Sequence, residues 1–177
     1  MEQLLTDIQK RLTDAKMPEN YAQTRKNDRL FEYVDLDWGQ VDFYAGQMPP
    51  VKFPCALLDI NAATFSNEGR LVQIGIFTIQ VRILDIVLSN TSGQAPAGQR
   101  DKAARMYKLV EETNKLLHGF NGQGYGSLIK QSLSRVKRHD GLKEYSLEFL
   151  VQITDASATP VFRQIPKPTP VIKIEQP

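Results

Sequence analysis

Phe77-Thr78-Ile79-Gln80-Val81-Arg82-Ile83 alternates apolar and polar side chains without a break, which is the period-2 pattern of a strand with one dry and one wet face. It sits inside residues 70–88, the longest strand candidate in the sequence. Just upstream, 55–62 is apolar through Ala56, Leu57, Leu58 and Ile60 and reads as a buried strand, with Ser66-Asn67-Glu68-Gly69 as the turn that joins the two. Downstream, residues 128–137 and 142–154 flank His139-Asp140-Gly141, and an Asp-Gly pair between alternating segments is a strong hairpin signal. In the second arm Tyr145, Leu147, Phe149, Val151 and Ile153 face one way, and Glu144, Ser146, Glu148 and Gln152 face the other. These strands predict a sheet with one packed side.

What packs on that side is also legible. Leu4, Leu5, Ile8, Leu12 and Ala15 recur at helical spacing before Pro18, predicting a short amphipathic helix. A second and longer helix is predicted over 99–118, with Ala103, Met106, Tyr107, Val110 and Leu117 on its apolar face and Gly119 at its C-terminal cap. Residues 19–29 are polar and read as a connection, and 30–38 as an edge strand. Met48-Pro49-Pro50-Val51-Lys52-Phe53-Pro54 lacks the backbone donors a sheet interior needs. The small, polar stretch 89–98 predicts an exposed loop.

After Asp155 the character changes, with prolines at 160, 166, 168, 170 and 177. The resulting expectation is an α+β domain over 1–155, with a mostly antiparallel sheet of about four strands and two helices on one face, plus an extended proline-rich C-terminal arm over 156–177. Within the arm, Val171-Ile172-Lys173-Ile174 is apolar and β-prone.

Composition narrows the function. Twenty-two Lys and Arg against 20 Asp and Glu leave a net charge of +2, too little to draw the whole chain onto nucleic acid or an anionic membrane. Cys55 is the single cysteine, so neither an internal disulfide nor a thiolate metal site is available, and a reducing cytosol is expected. The N-terminus has no basic n-region before an apolar run, so no secretory signal is read there, and no run approaches the roughly 20 apolar residues of a membrane span.

No catalytic, cofactor-binding or metal residues are expected. Cys55 lies in an apolar strand, His118 and His139 read as solvated, and the Asp35/Asp37 and Glu111/Glu112 pairs fall in exposed-looking segments with nothing to shift them. Gly119, Gly122, Gly124 and Gly126 follow a helix and precede a strand, the reverse of a phosphate-binding loop, and read as a flexible connection. Basic residues decorate the second helix at Arg100, Lys102, Arg105 and Lys108. They are denser in the hairpin, where Lys130, Arg135, Lys137 and Arg138 are candidates for contact with phosphate or an acidic partner. With no aromatics interleaved, any nucleic-acid contact would be to backbone only.

Two segments carry a family resemblance: Val34-Asp35-Leu36-Asp37-Trp38-Gly39-Gln40 and Phe53-Pro54-Cys55-Ala56-Leu57-Leu58-Asp59-Ile60. Together with the order helix, strands, polar loop, long helix and hairpin, they resemble the tail terminator (tail completion) and neck connector proteins of tailed bacteriophages, in particular small phage and prophage proteins of Bacteroidetes-type hosts. The resemblance covers residues 1–155. It implies a virion protein of the tail and neck, assembled in the host cytoplasm as a homo-oligomeric ring, a hexamer or larger. Its implied partners are tail tube, neck or portal proteins, with non-specific DNA contact in a lumen and no membrane.

The arm departs from the simplest members of that family and leaves room for another connector role between portal and tail. Pro168, Pro170, Val171, Ile172 and Ile174 are the candidate subunit-interface residues, either added to a neighbour's sheet edge or packed in its groove. A cytosolic adaptor domain acting as a monomer is the alternative reading.

Overall fold

The computed structural model describes residues 1–18, 28–42, 51–69, 71–86 and 92–159, without the side chain of Lys102. The arm residues Pro168, Pro170, Val171, Ile172 and Ile174 lie outside the described residues. So do 19–27 of the connecting segment, Pro49 and Pro50, and 89–91 of the polar loop.

The elements run α1 (Glu2–Thr13), β1 (Tyr33–Leu36), β2 (Cys55–Gly69), β3 (Val72–Ile86), α2 (Ala97–Leu117), β4 (Ile129–Val136) and β5 (Leu142–Asp155). They form one five-stranded sheet in the order β1-β2-β3-β5-β4. Three of its pairings are antiparallel, but β1 runs parallel to β2, with Tyr33 opposite Cys55 and Leu36 opposite Leu58. The sheet is thus mixed and has one strand more than expected. The parallel pair arises because the chain turns away at the end of β1 through residues 37–42. It comes back through a cis Phe53-Pro54 bond beside the start of β1, where Glu32 N–H donates to Pro54 O (2.9 Å).

β2 and β3 are each 15 residues long, about 50 Å at the usual strand rise. Only Cys55–Leu58 of β2 is buried, and the strand then continues, exposed or half-exposed, through Ser66-Asn67-Glu68 to Gly69. The turn predicted at 66–69 is therefore strand: Gly69 pairs with Val72, so the reversal falls between them. The polar residues are tolerated because, among the described residues, no second layer lies over the outer half of this hairpin. Positive φ at Gly69 (87°) and Leu71 (66°) makes the tight reversal.

Both helices lie on one face of the sheet. From α1, Leu4, Ile8 and Leu12 are no more than 1% exposed, and from α2, Ala103, Met106, Leu109, Val110 and Leu117 are buried, against Ala56, Leu58, Phe77, Ile79, Val81, Ile83, Leu147, Phe149 and Val151. Fully burying side chains of this size is worth roughly 2 kcal/mol each. Tyr107 is not in this core. It is 60% exposed and sets its ring edge-on to Tyr145 at 5.8 Å, while Leu109 takes the buried position.

The glycine-rich connection between α2 and β4 is pinned rather than flexible. Gly119 N–H donates to Leu128 O, Leu128 N–H to Phe120 O and Gly126 N–H to Gln152 O, all at 2.8 Å. Tyr125 is buried in this loop and its hydroxyl donates to Asp7 Oδ2 of α1 (2.8 Å).

Candidate assembly surfaces

On the face away from the helices, the Val34–Gln40 segment builds a tight corner. Asp37 N–H donates to Leu58 O (2.8 Å), Gly39 N–H to Asp37 Oδ1 (3.0 Å), Trp38 N–H to Gln40 Oε1 (2.9 Å), and Gln40 Nε2 to Leu36 O (2.9 Å). Gly39, at φ 84°, allows the chain to reverse there. The corner lays Val41 and Val51 over Cys55, Leu57 and Leu84, a second small core, and brings Asp37 and Asp42 against the sheet.

These carboxylates meet Arg82, which donates from Nη1 to Asp37 Oδ2 (2.5 Å) and to Asp42 Oδ2 (2.8 Å). Arg82 also grips Glu144, Nε to Oε1 at 2.7 Å and Nη2 to Oε2 at 3.1 Å. Arg138 closes the cluster through Asp140 (2.6 Å), Asp42 (2.6 Å), Glu144 (2.9 Å) and Val41 O (3.1 Å). The hydrogen bond from Arg82 holds the Asp42 carboxyl down at about 2, with Arg138 adding to it against the opposing effect of burial. Burial works against the charge on Arg82, and the bonds to Asp42, Glu144 and Asp37 outweigh it, raising its pKa. Glu144, expected to face water, is 1% exposed, and Ser146 3%. Asp37, expected to be solvated, is 8% exposed. Glu144 and Asp37 are held by Arg82, and Ser146 accepts from Gln80 Nε2 (2.8 Å).

Of the basic hairpin residues, the structure brings Lys130 and Arg135 to one face and separates Arg138 from them. Lys130 lies opposite Phe149 and Arg135 opposite Tyr145, on the helix side of the sheet, while Arg138 turns into the cluster beneath. Lys137 is exposed just past the end of β4. On α2, Arg105 Nη2 stands 3.4 Å from the buried Asp85, and Lys108 pairs with Glu111 and Glu112, which also bind Lys115.

β4 is an edge strand, and no described segment pairs with its outer side. Ile129, Leu133 and Val136 along it are 51%, 47% and 40% exposed. The opposite edge is β1, which covers only the first four residues of β2.

Cys55 is fully buried and its thiol is pushed up to about 12, chiefly by desolvation. His118 accepts the Lys130 N–H at Nδ1 (3.1 Å), tying the end of α2 to β4, and His139 is exposed at the hairpin tip. Among the described residues no group of three or more His, Cys, Asp or Glu is placed to hold a metal, and no helix is long and apolar enough to cross a membrane.

The chain so assembled is an α+β protein with a mixed sheet, both helices on one face and, among the described residues, two different open edges. No family model and no curated protein matches the sequence. Among solved structures, a chain from the virion of a native gene transfer agent (GTA) particle aligns with a TM-score of 0.44 at 10% identity, over 76% of this chain and 91% of that one.

Proposed function

We propose that this chain is a structural subunit of a phage-type head-to-tail interface, with no enzymatic activity of its own. Copies close into a ring that caps the tail tube and joins it to the neck or portal. The observation that carries the reading is the pair of unlike open edges. A ring needs a head-to-tail contact between two different surfaces of one subunit. The apolar and basic edge at β4 offers one such surface, and the edge of β2 beyond β1, with Asp59 and Glu68, offers another of opposite charge. The family resemblance of residues 34–40 and 53–60 agrees with this role and supplies the expected ring size of six or more.

The edge contact is tested with Leu133→Asp. Leu133 is exposed, so the change leaves the fold intact by circular dichroism and abolishes higher-order assembly. Assembly that proceeds unchanged would remove β4 from the interface.

A further inference from the structure

On the open face, at the end of the sheet away from the ionic cluster, lies a groove of about 680 Å³ lined by Ile76, Ile129, Leu150, Gln152 and Thr154, with the Gly124–Ser127 loop as its wall. Ile76 comes from β3, Leu150 from the centre of β5 and Ile129 from β4. The register that sets Ile129 opposite Leu150, and Ile76 opposite Gln152, makes them neighbours on one side of the sheet. Ile76 is 48% and Ile129 51% exposed, so this floor is apolar and open to water. Among the described residues no charged side chain lines it. A contiguous apolar face of this kind calls for an apolar occupant, not a phosphate or an acidic one.

The sequence contains such an occupant. β5 ends at Asp155, one residue past Thr154 on the groove rim, and the described chain runs on to Thr159. Twelve residues beyond Thr159 begins Val171-Ile172-Lys173-Ile174. In an extended chain Ile172 and Ile174 fall on one side and Lys173 on the other, so both isoleucines can enter an apolar groove while the ammonium stays in water.

The prolines decide whose groove it is. The chain turns once just after β5, where Thr159 N–H donates to Ala156 O (3.0 Å), and beyond it Pro166, Pro168 and Pro170 restrict the residues before them to extended conformations. At about 3.1 Å per residue the segment from 159 to 171 reaches roughly 35 Å, whereas the groove of the same chain lies within about 15 Å of the end of β5. A connection of that length reaches past its own groove to that of a neighbour. We propose that the groove formed by Ile76, Ile129 and Leu150 receives residues 171–174 of an adjacent copy of this chain, clasping one ring subunit to the next. This rests on the ring reading above.

The test uses two full-length preparations, one carrying Gln152→Cys on the groove rim and the other Glu175→Cys beside the isoleucines, mixed and mildly oxidised. The native Cys55 is fully buried and does not compete. The expected result is a disulfide between the two different chains, reduced about tenfold by adding Ile129→Asp to the first or Ile172→Asp to the second. Three results overturn the proposal: assembled rings with no cross-link, a cross-link that forms instead from Phe162→Cys in the earlier apolar stretch of the arm, or closure within one chain when both cysteines are on the same copy. Light scattering on the same mixture separates the two claims. A monomer that still forms the mixed disulfide keeps the groove and fails the ring, while a monomer without it overturns both.

Discussion

Arg82 of β3 and Glu144 of β5 form a two-point pair, Nε to Oε1 at 2.7 Å and Nη2 to Oε2 at 3.1 Å, although neither faces the other across the ladder. Arg82 stands opposite Ser146 and Glu144 opposite Leu84, so the pair is diagonal on one face of the sheet. Glu144 also accepts from Arg138, so one buried carboxylate holds two guanidinium groups.

Glu144→Ala removes the acceptor shared by two partly buried arginines and leaves Arg82 Nε without its partner, while Asp37, Asp42 and Asp140 still balance the charge. The expected loss is about 2–3 kcal/mol of unfolding free energy, read from urea denaturation. Replacing the pair with apolar residues, Arg82→Met with Glu144→Leu, is expected to cost less than Glu144→Ala alone. A loss under about 1 kcal/mol for Glu144→Ala would mean the cluster is solvated and that residues 37–42 do not cover it.

Acid has a defined effect. Asp42 titrates near 2 in the folded chain against 3.8 ordinarily, held down first by Arg82, and Asp140 is lowered in the same direction by Arg138. A carboxyl depressed by folding adds stability in full above its unfolded pKa, and that stability is lost as the pH falls through the folded one. The urea midpoint should hold level from neutral pH to about 4 and then fall towards pH 2. The Asp42 shift alone corresponds to about 2 kcal/mol, and its 37% side-chain exposure reduces the expected share to about 1 kcal/mol. Asp42→Asn should flatten part of that fall, and an unchanged slope would contradict the assignment.

The loop between α2 and β4 depends on Gly122. A Cβ there would lie 2.4 Å from the Tyr125 hydroxyl, and the ring cannot swing away freely because its hydroxyl is bonded to Asp7 and its edge meets Phe120 at 6.3 Å. Gly122→Ala is expected to destabilise by about 1–3 kcal/mol through overpacking, and Tyr125→Phe by about 1 kcal/mol through the lost hydrogen bond. Thermal unfolding of both variants and of Gly122→Ala/Tyr125→Ala checks this, since shortening the ring should relieve the Gly122→Ala clash. Strict additivity would show that the two residues do not meet.

The elements that pack on the helix-covered face were legible because their spacing is set by burial on one side. Leu4, Ile8 and Leu12, and Leu147, Phe149 and Val151, are buried as their periods require. The ionic cluster was not legible, because Glu144 and Ser146 carry the polar half of the same alternation and nothing local distinguishes a wet face from one roofed by a distant loop. The local signal was a full charge, Arg82, at a polar position of the β3 alternation where its neighbours Thr78 and Gln80 are neutral. The edge strand at 33–36 was legible, but its direction was not, since four residues of sequence do not say whether they pair parallel or antiparallel with β2. The candidate site fared unevenly. Lys130, Arg135 and Lys137 stay at the surface, whereas Arg138, their neighbour in sequence, points inward because the hairpin loop carries it over Asp42.

Native mass spectrometry of the purified full-length chain, taken across concentration and paired with negative-stain images, tests the ring most directly. A species at one fixed multiple of 20.0 kDa, six or more, with a central opening is the predicted result. A two-fold dimer that grows no further, or an open series of masses without closure, would contradict it.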